Sequence, residues 1–270
     1  MSEINTRRAL GTEGFERREI DLYGVKTVYY EAGEGPTVVY FHGGGAFHGI
    51  QFARPWTKDF RVICPYHPGF SESGDDPRVG AMEHYILHYL DFFDRLKLDK
   101  VHLTGLSLGG RLAAEFAVGH CERLKSLVIG SPAGLDVPEH PPTNLGALSM
   151  DQMMAHLVTD LAVLNPYLPP VMAAEIFAQD RMREGQAAGK VMMSPSGLDH
   201  WLHRVNVPTL ILWGANDRVL PVGRAEAWAK KIPHAKLEII QTIGHLVFDE
   251  SPMAVTMAQD FMERAQRGAA

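Results

Sequence analysis

Apolar and polar positions alternate twice near the start of the chain, over Phe15 to Leu22 and Val25 to Glu31, with Tyr23-Gly24 between. Alternation with period two predicts half-buried strands, and the break makes them a hairpin. The pattern then changes. Thr37-Val38-Val39-Tyr40-Phe41 and Arg61-Val62-Ile63-Cys64 are continuous β-branched and aromatic runs, as in strands covered on both faces. Similar runs follow at Val101 to Thr104, Leu127 to Ile129, Pro208 to Trp213 and Leu237 to Ile240. Between them the spacing becomes three and four. Val79, Met82, Ile86, Leu90, Phe93 and Leu96 predict an amphipathic helix of about five turns over Val79 to Leu98. Helical stretches are also expected around Phe52 to Lys58, Leu108 to Val118, Arg224 to Ile232 and Pro252 to Ala265. Strands alternating with helices mean an α/β architecture, here a mostly parallel eight-stranded sheet with helices on both faces.

One segment breaks the rhythm. Between the strand ending near Gly130 and the one starting at Pro208 lie roughly seventy residues without a good strand, too long for an unstructured loop in a compact domain. They open with Pro138, Pro141 and Pro142 and continue with helical patterns over Met150 to Leu164 and Val171 to Gly185. The expected organisation is a core domain of residues 1–134 and 206–270 carrying a helical cap, residues 135–205. The cap is rich in flexible apolar groups: Met150, Met153, Met154, Met172, Met182, Met192 and Met193, with Leu157, Leu161, Phe177 and Trp201. Most are expected to pack the cap against the sheet domain, and a subset to line an apolar pocket.

Composition narrows the function. With 46% apolar residues and a net charge of −6, the chain has no basic run and no arginine-aromatic interleaving of the kind that binds nucleic acid. Met1 to Arg18 is polar and charged, without the apolar stretch of a secretory leader, and no run approaches a membrane span. The expectation is a cytoplasmic protein without nucleic-acid or membrane partners. Cys64 and Cys121 lack metal-ligand spacing and read as small core residues. His84 and His88 do have ligand spacing on one helix face, but no third ligand fits, so neither metal nor cofactor is expected.

Candidate chemistry gathers at the predicted strand ends. Gly105-Leu106-Ser107-Leu108-Gly109 joins a strand to a helix, as a nucleophile elbow requires. The pentapeptide alone is weak, arising by chance in about one such chain in ten. Its context strengthens it. Gly214-Ala215-Asn216-Asp217 follows one later strand, and Gly244-His245 follows the last. Ser107, Asp217 and His245 thus come in the Ser–acid–His order, unlike the orders of the trypsin and subtilisin folds. Asp136, several residues past its own strand, is the rival acid. Gly43-Gly44-Gly45, after the strand ending at Phe41, lets backbone amides approach a substrate carbonyl.

With these landmarks and the loop Pro68-Gly69-Phe70-Ser71-Glu72-Ser73, the chain resembles an α/β-hydrolase with a helical cap over nearly its whole length. The resemblance implies Ser107 as nucleophile, His245 as general base and Asp217 as the acid that orients it. It also implies an oxyanion hole from the amides of Leu108 and Gly44, with Gly45 as the alternative to Gly44. His42 would brace that loop. Ser107 speaks against the relatives with an aspartate nucleophile. The C–C bond hydrolases of aromatic degradation typically carry Asn before the nucleophile and Trp after the histidine, where this chain has Leu106 and Leu246. Hydrolysis of a small, apolar carboxylic ester is therefore the leading expectation. C–C cleavage is second, and a slow-turnover ligand-binding protein on a hydrolase scaffold is the reading from another class.

Overall fold

Tyr23 and Gly24 both adopt positive φ, 54° and 87°, and fold strand β1 (Glu16–Leu22) back on β2 (Val25–Ala32) with Leu22 facing Val25. The computed structural model describes residues 11–44, 49–168 and 174–269. The remaining strands are β3 (Thr37–Phe41), β4 (Arg61–Pro65), β5 (Val101–Leu106), β6 (Leu124–Gly130), β7 (Thr209–Gly214) and β8 (Lys236–Ile240). They form one sheet in the order β1-β2-β4-β3-β5-β6-β7-β8. The hairpin joins antiparallel, and every pairing from β4 onward is parallel. β5 and β7 are buried at every residue, so both faces of the central sheet are covered. The continuous apolar runs are thus the middle of the sheet and the alternating hairpin one edge, except that Leu237 to Ile240 falls in β8, the other edge strand, where Glu238 and Ile239 are exposed.

The helices of the core are α1 (Met82–Arg95), α2 (Leu108–His120), α6 (Ala225–Lys231), α7 (Val247–Glu250) and α8 (Pro252–Gln266). Gln51–Lys58 is helical too, as a 3₁₀ stretch containing Pro55. α8 starts where the Ser251 side chain accepts from Ala254 N and Pro252 supplies the first turn. α1 is shorter than expected, beginning at Met82 rather than Val79. Its buried face is also turned toward aromatics, Tyr85, Tyr89 and Phe92, while Ile86 and Leu90 sit at the margin. Tyr85 and Tyr89 count as polar in a hydropathy pattern yet bury large rings, which is why the aliphatic stripe misplaced the face.

Between β6 and β7 the described residues contain helices and no strand: α3 (Met150–Leu157), α4 (Ala174–Met192) and α5 (Leu198–Trp201), with 3₁₀ turns at Leu145–Ala147, Leu161–Tyr167 and Leu202–Arg204. Ser149 and Gln152 form a reciprocal capping box at the start of α3. The single helix expected over Met150 to Leu164 is broken at Val158, Thr159 and Asp160. Of the cap methionines, Met153 and Met154 pack on the core, but Met150, Met182, Met192 and Met193 are exposed, as are Leu161 and Trp201. Met182 and Met192 lie on α4, and Met193 follows its last residue. Met172 and the side chain of Phe177 lie outside the described residues. Cys64 is buried and Cys121 half-buried. No helix among the described residues is long and apolar enough to cross a membrane.

Candidate active site

Ser107 stands between β5 and α2 with φ 56° and ψ −115°. A serine there is strained and persists only where its surroundings enforce it. They do so through the backbone: Ser107 N donates to Gly130 O at 2.9 Å, and Ser107 O accepts from Arg111 N at 2.9 Å and Ala133 N at 3.0 Å. The flanking glycines are a steric requirement. A Cβ on Gly105 would lie 2.3 Å from Gly109 O, and one on Gly109 would lie 2.1 Å from Phe41 O. Between buried Leu106 and buried Leu108, Ser107 keeps partial exposure. Leu108 opens α2, so its N–H is one of the unpaired donors at the helix's positive end.

The loop after β3 closes over this turn. A Cβ on Gly43 would sit 3.6 Å from Ser107 Cβ; one on Gly44 would sit 3.1 Å from Leu108 Cδ2 and 3.2 Å from Ala188 Cβ of α4. Gly45 lies outside the described residues. His42 holds the loop from behind. Its Nδ1 donates to Gly43 O at 2.7 Å, while its Nε2 accepts from His67 N at 3.1 Å. His67 Nε2 in turn donates to His42 O at 2.9 Å, and the two rings lie 3.8 Å apart. Both rings are spent on bracing.

Asp217 and His245 meet at the same edge of the sheet, after β7 and β8. His245 Nδ1 donates to Asp217 Oδ2 at 2.8 Å, and both side chains are buried. The other carboxylate oxygen accepts from Val219 N and Leu220 N, each at 2.8 Å. With Asp217 so fixed, Nδ1 carries the proton and Nε2 is left as the basic nitrogen. Val247, two residues past His245, packs on Gly130, the residue whose carbonyl receives Ser107 N–H. Asp136 is exposed, and its charge, like that of Asp217, acts on Arg224. His88 is buried beside Thr27, with Nε2 3.3 Å from Thr27 Oγ1, and burial pushes its imidazole down to about 4. His84 Nδ1 accepts from Gly80 N. The described residues hold no group of His, Cys, Asp or Glu placed to bind a metal ion.

Several residues around the site gave no signal in the sequence. The backbone N–H groups of His245 and Leu246 both donate to Leu157 O of α3, at 2.9 and 3.1 Å. Glu250 bonds to Gly244 and to Thr159, and buried Arg111 reaches the end of α4. Glu184 of α4 accepts from Ser71 N at 2.7 Å. An arginine inside the apolar run from Leu108 to Ala114 was the one local hint. A cleft of about 300 Å³ also opens between α4 and the loop from Pro68 to Val79, with Arg183, Lys190 and Asp75 on its walls. None of Gly44, Ser107 and His245 lines it, and its charged walls do not suit an apolar ester.

Comparison with known proteins bears on the family and the fold. A model of the alpha/beta hydrolase family matches residues 38–259. The chain is 30% identical over 241 residues to a 2-hydroxy-6-oxononadienedioate/2-hydroxy-6-oxononatrienedioate hydrolase of Pseudomonas putida, covering 80% of this chain and 84% of that one. It is 26% identical over 240 residues to a 2-hydroxy-6-oxo-6-phenylhexa-2,4-dienoate hydrolase of Burkholderia cepacia, covering 80% and 83%. Among solved structures, the naproxen esterase of Bacillus subtilis shares the fold with a TM-score of 0.75 at 23% identity, covering 95% of this chain and 92% of that one.

Proposed function

The chain belongs to the alpha/beta hydrolase family, and on that premise we propose that it is a serine hydrolase that cleaves small, mostly apolar carboxylic esters. Ser107 Oγ attacks the ester carbonyl while His245 Nε2 takes its proton. The amides of Leu108 and Gly44 hold the oxyanion, and Asp217 stabilises the imidazolium. His245 then returns the proton to the departing alcohol, leaving an acyl-enzyme that water hydrolyses by the same steps. Residues 135–205 act as the cap, with Ala188 against Gly44 at its inner side. The observations that support the reading are the buried Asp217–His245 hydrogen bond and, at the same edge of the sheet, a serine held at φ 56°. Structural ion pairs are common, but this one follows β7 and β8 at the end of the sheet where β5 presents a serine in an enforced conformation, and acyl transfer calls for that combination of groups.

The relatives' names favour a second reading, cleavage of a C–C bond in a 2-hydroxy-6-oxo-dienoate. Leu106 and Leu246 weigh against it, since neither offers the polar group those enzymes carry there. Turnover of p-nitrophenyl butyrate and of such a dienoate, by wild type and Ser107→Ala, separates the readings. Ester hydrolysis is expected, and the variant should lose on the order of 10⁶ in kcat. A variant keeping a tenth of the activity removes Ser107 from the mechanism. Dead esters with a cleaved dienoate give the site to C–C chemistry, and no turnover of either leaves a binding protein.

A further inference from the structure

The break in the insertion coincides with the place where it touches the histidine loop. Helix α7 follows His245 directly and ends in two neighbouring carboxylates, Asp249 and Glu250, both engaged with the insertion. Asp249 Oδ1 accepts from Tyr167 Oη at 2.7 Å. Glu250 does more. Its Oε2 accepts from Gly244 N, the residue before His245, at 2.6 Å. Its Oε1 accepts from Thr159 N and from Thr159 Oγ1, each at 2.6 Å. One carboxylate therefore joins the peptide that carries His245 to the first residues after α3.

The surroundings are built for this joint. Thr242, two residues before Gly244, is held at φ 68°, where a β-branched residue is strained, and its carbonyl lies 3.0 Å from Thr159 Oγ1, sharing with Glu250 the one hydroxyl proton. Gly244 has no room for a side chain, since a Cβ would lie 2.9 Å from Glu250 Oε2 and 3.1 Å from Leu157 O. His245 N and Leu246 N complete the contact on that same carbonyl of Leu157. Asp217 fixes the imidazole at Nδ1, and the backbone of His245 is fixed against the insertion.

We propose that Glu250 is a positioning residue for His245, coupling the docked insertion to the placement of the general base. The proposal rests on the assignment of His245 made above. Gln at position 250 keeps the shape but replaces one oxygen with an N–H donor, so either Gly244 N or Thr159 N faces another donor and is pushed away. A base displaced by a fraction of an ångström loses rate rather than substrate affinity.

The test compares wild type with Glu250→Gln by two readouts. In turnover of p-nitrophenyl butyrate, kcat should fall about tenfold to a hundredfold with KM little changed. In NMR, the low-field Nδ1 proton held between His245 and Asp217 should exchange faster with water in the variant. If Glu250→Gln does not fold, Thr159→Val, which removes only the hydroxyl arm, should show the same two changes in smaller measure. Wild-type kcat together with an unchanged proton in the folded variant overturns the proposal. The proton comparison needs no turnover. Absence of ester activity in the wild type would therefore overturn the proposed reaction, while the proton would still decide the role of Glu250.

Discussion

Replacing Arg111 by Met tests how the far end of the insertion is held. Arg111 lies four residues past Ser107 and is 1% exposed. Its Nε donates to Glu115 Oε1 at 2.8 Å, and its other nitrogens donate to Met192 O at 3.1 Å, Val191 O at 3.3 Å and Ser194 O at 3.0 Å. The guanidinium thus caps the carbonyl end of α4, where the helix dipole is negative. Methionine fills much of the volume, so the loss is of charge and donors rather than of packing. Removing one partner of a buried pair costs about 3–5 kcal/mol. The Glu115 side chain retains 15% exposure and accepts from Ser196 Oγ at 3.2 Å, which places the cost at the low end. About 3 kcal/mol in a domain of this size lowers Tm by roughly 6–12 °C. Hydrogen exchange should speed up first over residues 186–194, and Arg111→Met/Glu115→Gln should regain part of the loss because no orphaned carboxylate remains. A variant melting within about 2 °C of wild type, or loosened elsewhere first, would refute the reasoning.

Other expectations follow from the same geometry. Asp217→Asn should lower kcat by roughly 10⁴ because the imidazole loses its tautomer, while Asp136→Asn should leave it nearly unchanged; the reverse result would move the acid to Asp136. Gly109→Ala places a Cβ 2.1 Å from Phe41 O and should abolish the folded elbow, whereas Gly119→Ala, with nothing within 4 Å, should gain up to about 1 kcal/mol in the same helix. Burial pushes Asp249 up to about 7, so between 3.8 and 7 the folded chain holds a proton the unfolded chain lacks. Its contribution therefore falls as pH rises from 3.8 and is gone above 7, and Asp249→Asn should flatten the fall in Tm between pH 5 and 7.5, checked by calorimetry at both. His88 and His102, each pushed down to about 4 by burial, act in the opposite sense, and their contribution is lost as pH falls from 6.5 toward 4. Along p-nitrophenyl esters, kcat/KM should rise from acetate by up to ~0.8 kcal/mol per methylene and then fall when the pocket is full. A steady climb through long acyl chains would point to an open lipid-binding site.

The middle of the sheet was legible because its strands are buried on both faces. Thr37 to Phe41 reads the same in sequence and structure, since a run covered on both faces needs no partner's identity to be recognised. The candidates Ser107, Asp217 and His245 stood out for a related reason: each lies within three residues of a glycine at a strand end, and these are local signals. What escaped was set by distant partners. The helix expected through Leu164 stops at Leu157, because the next residues bond to the histidine loop, with Thr159 and Glu250 lying 91 residues apart. Arg111 meets Val191 across 80 residues. No periodicity encodes either contact.

The two missed contacts have a common consequence. The insertion leaves α3 tied to the loop of His245, and it leaves α4 tied to the helix that starts at Ser107. Its two ends are thus fixed to two different elements of the proposed site, and a shift of the insertion at either end is a shift of that element's support. Weakening the Arg111 end should therefore disturb Ser107 more than His245, and weakening the Glu250 end the reverse. Phosphonate labelling and the His245 proton read these separately. Arg111→Met should slow labelling of Ser107 with the His245–Asp217 proton kept, and Glu250→Gln should speed exchange of that proton. If both variants moved both readouts alike, the insertion would act as one rigid body and not through two separate anchors.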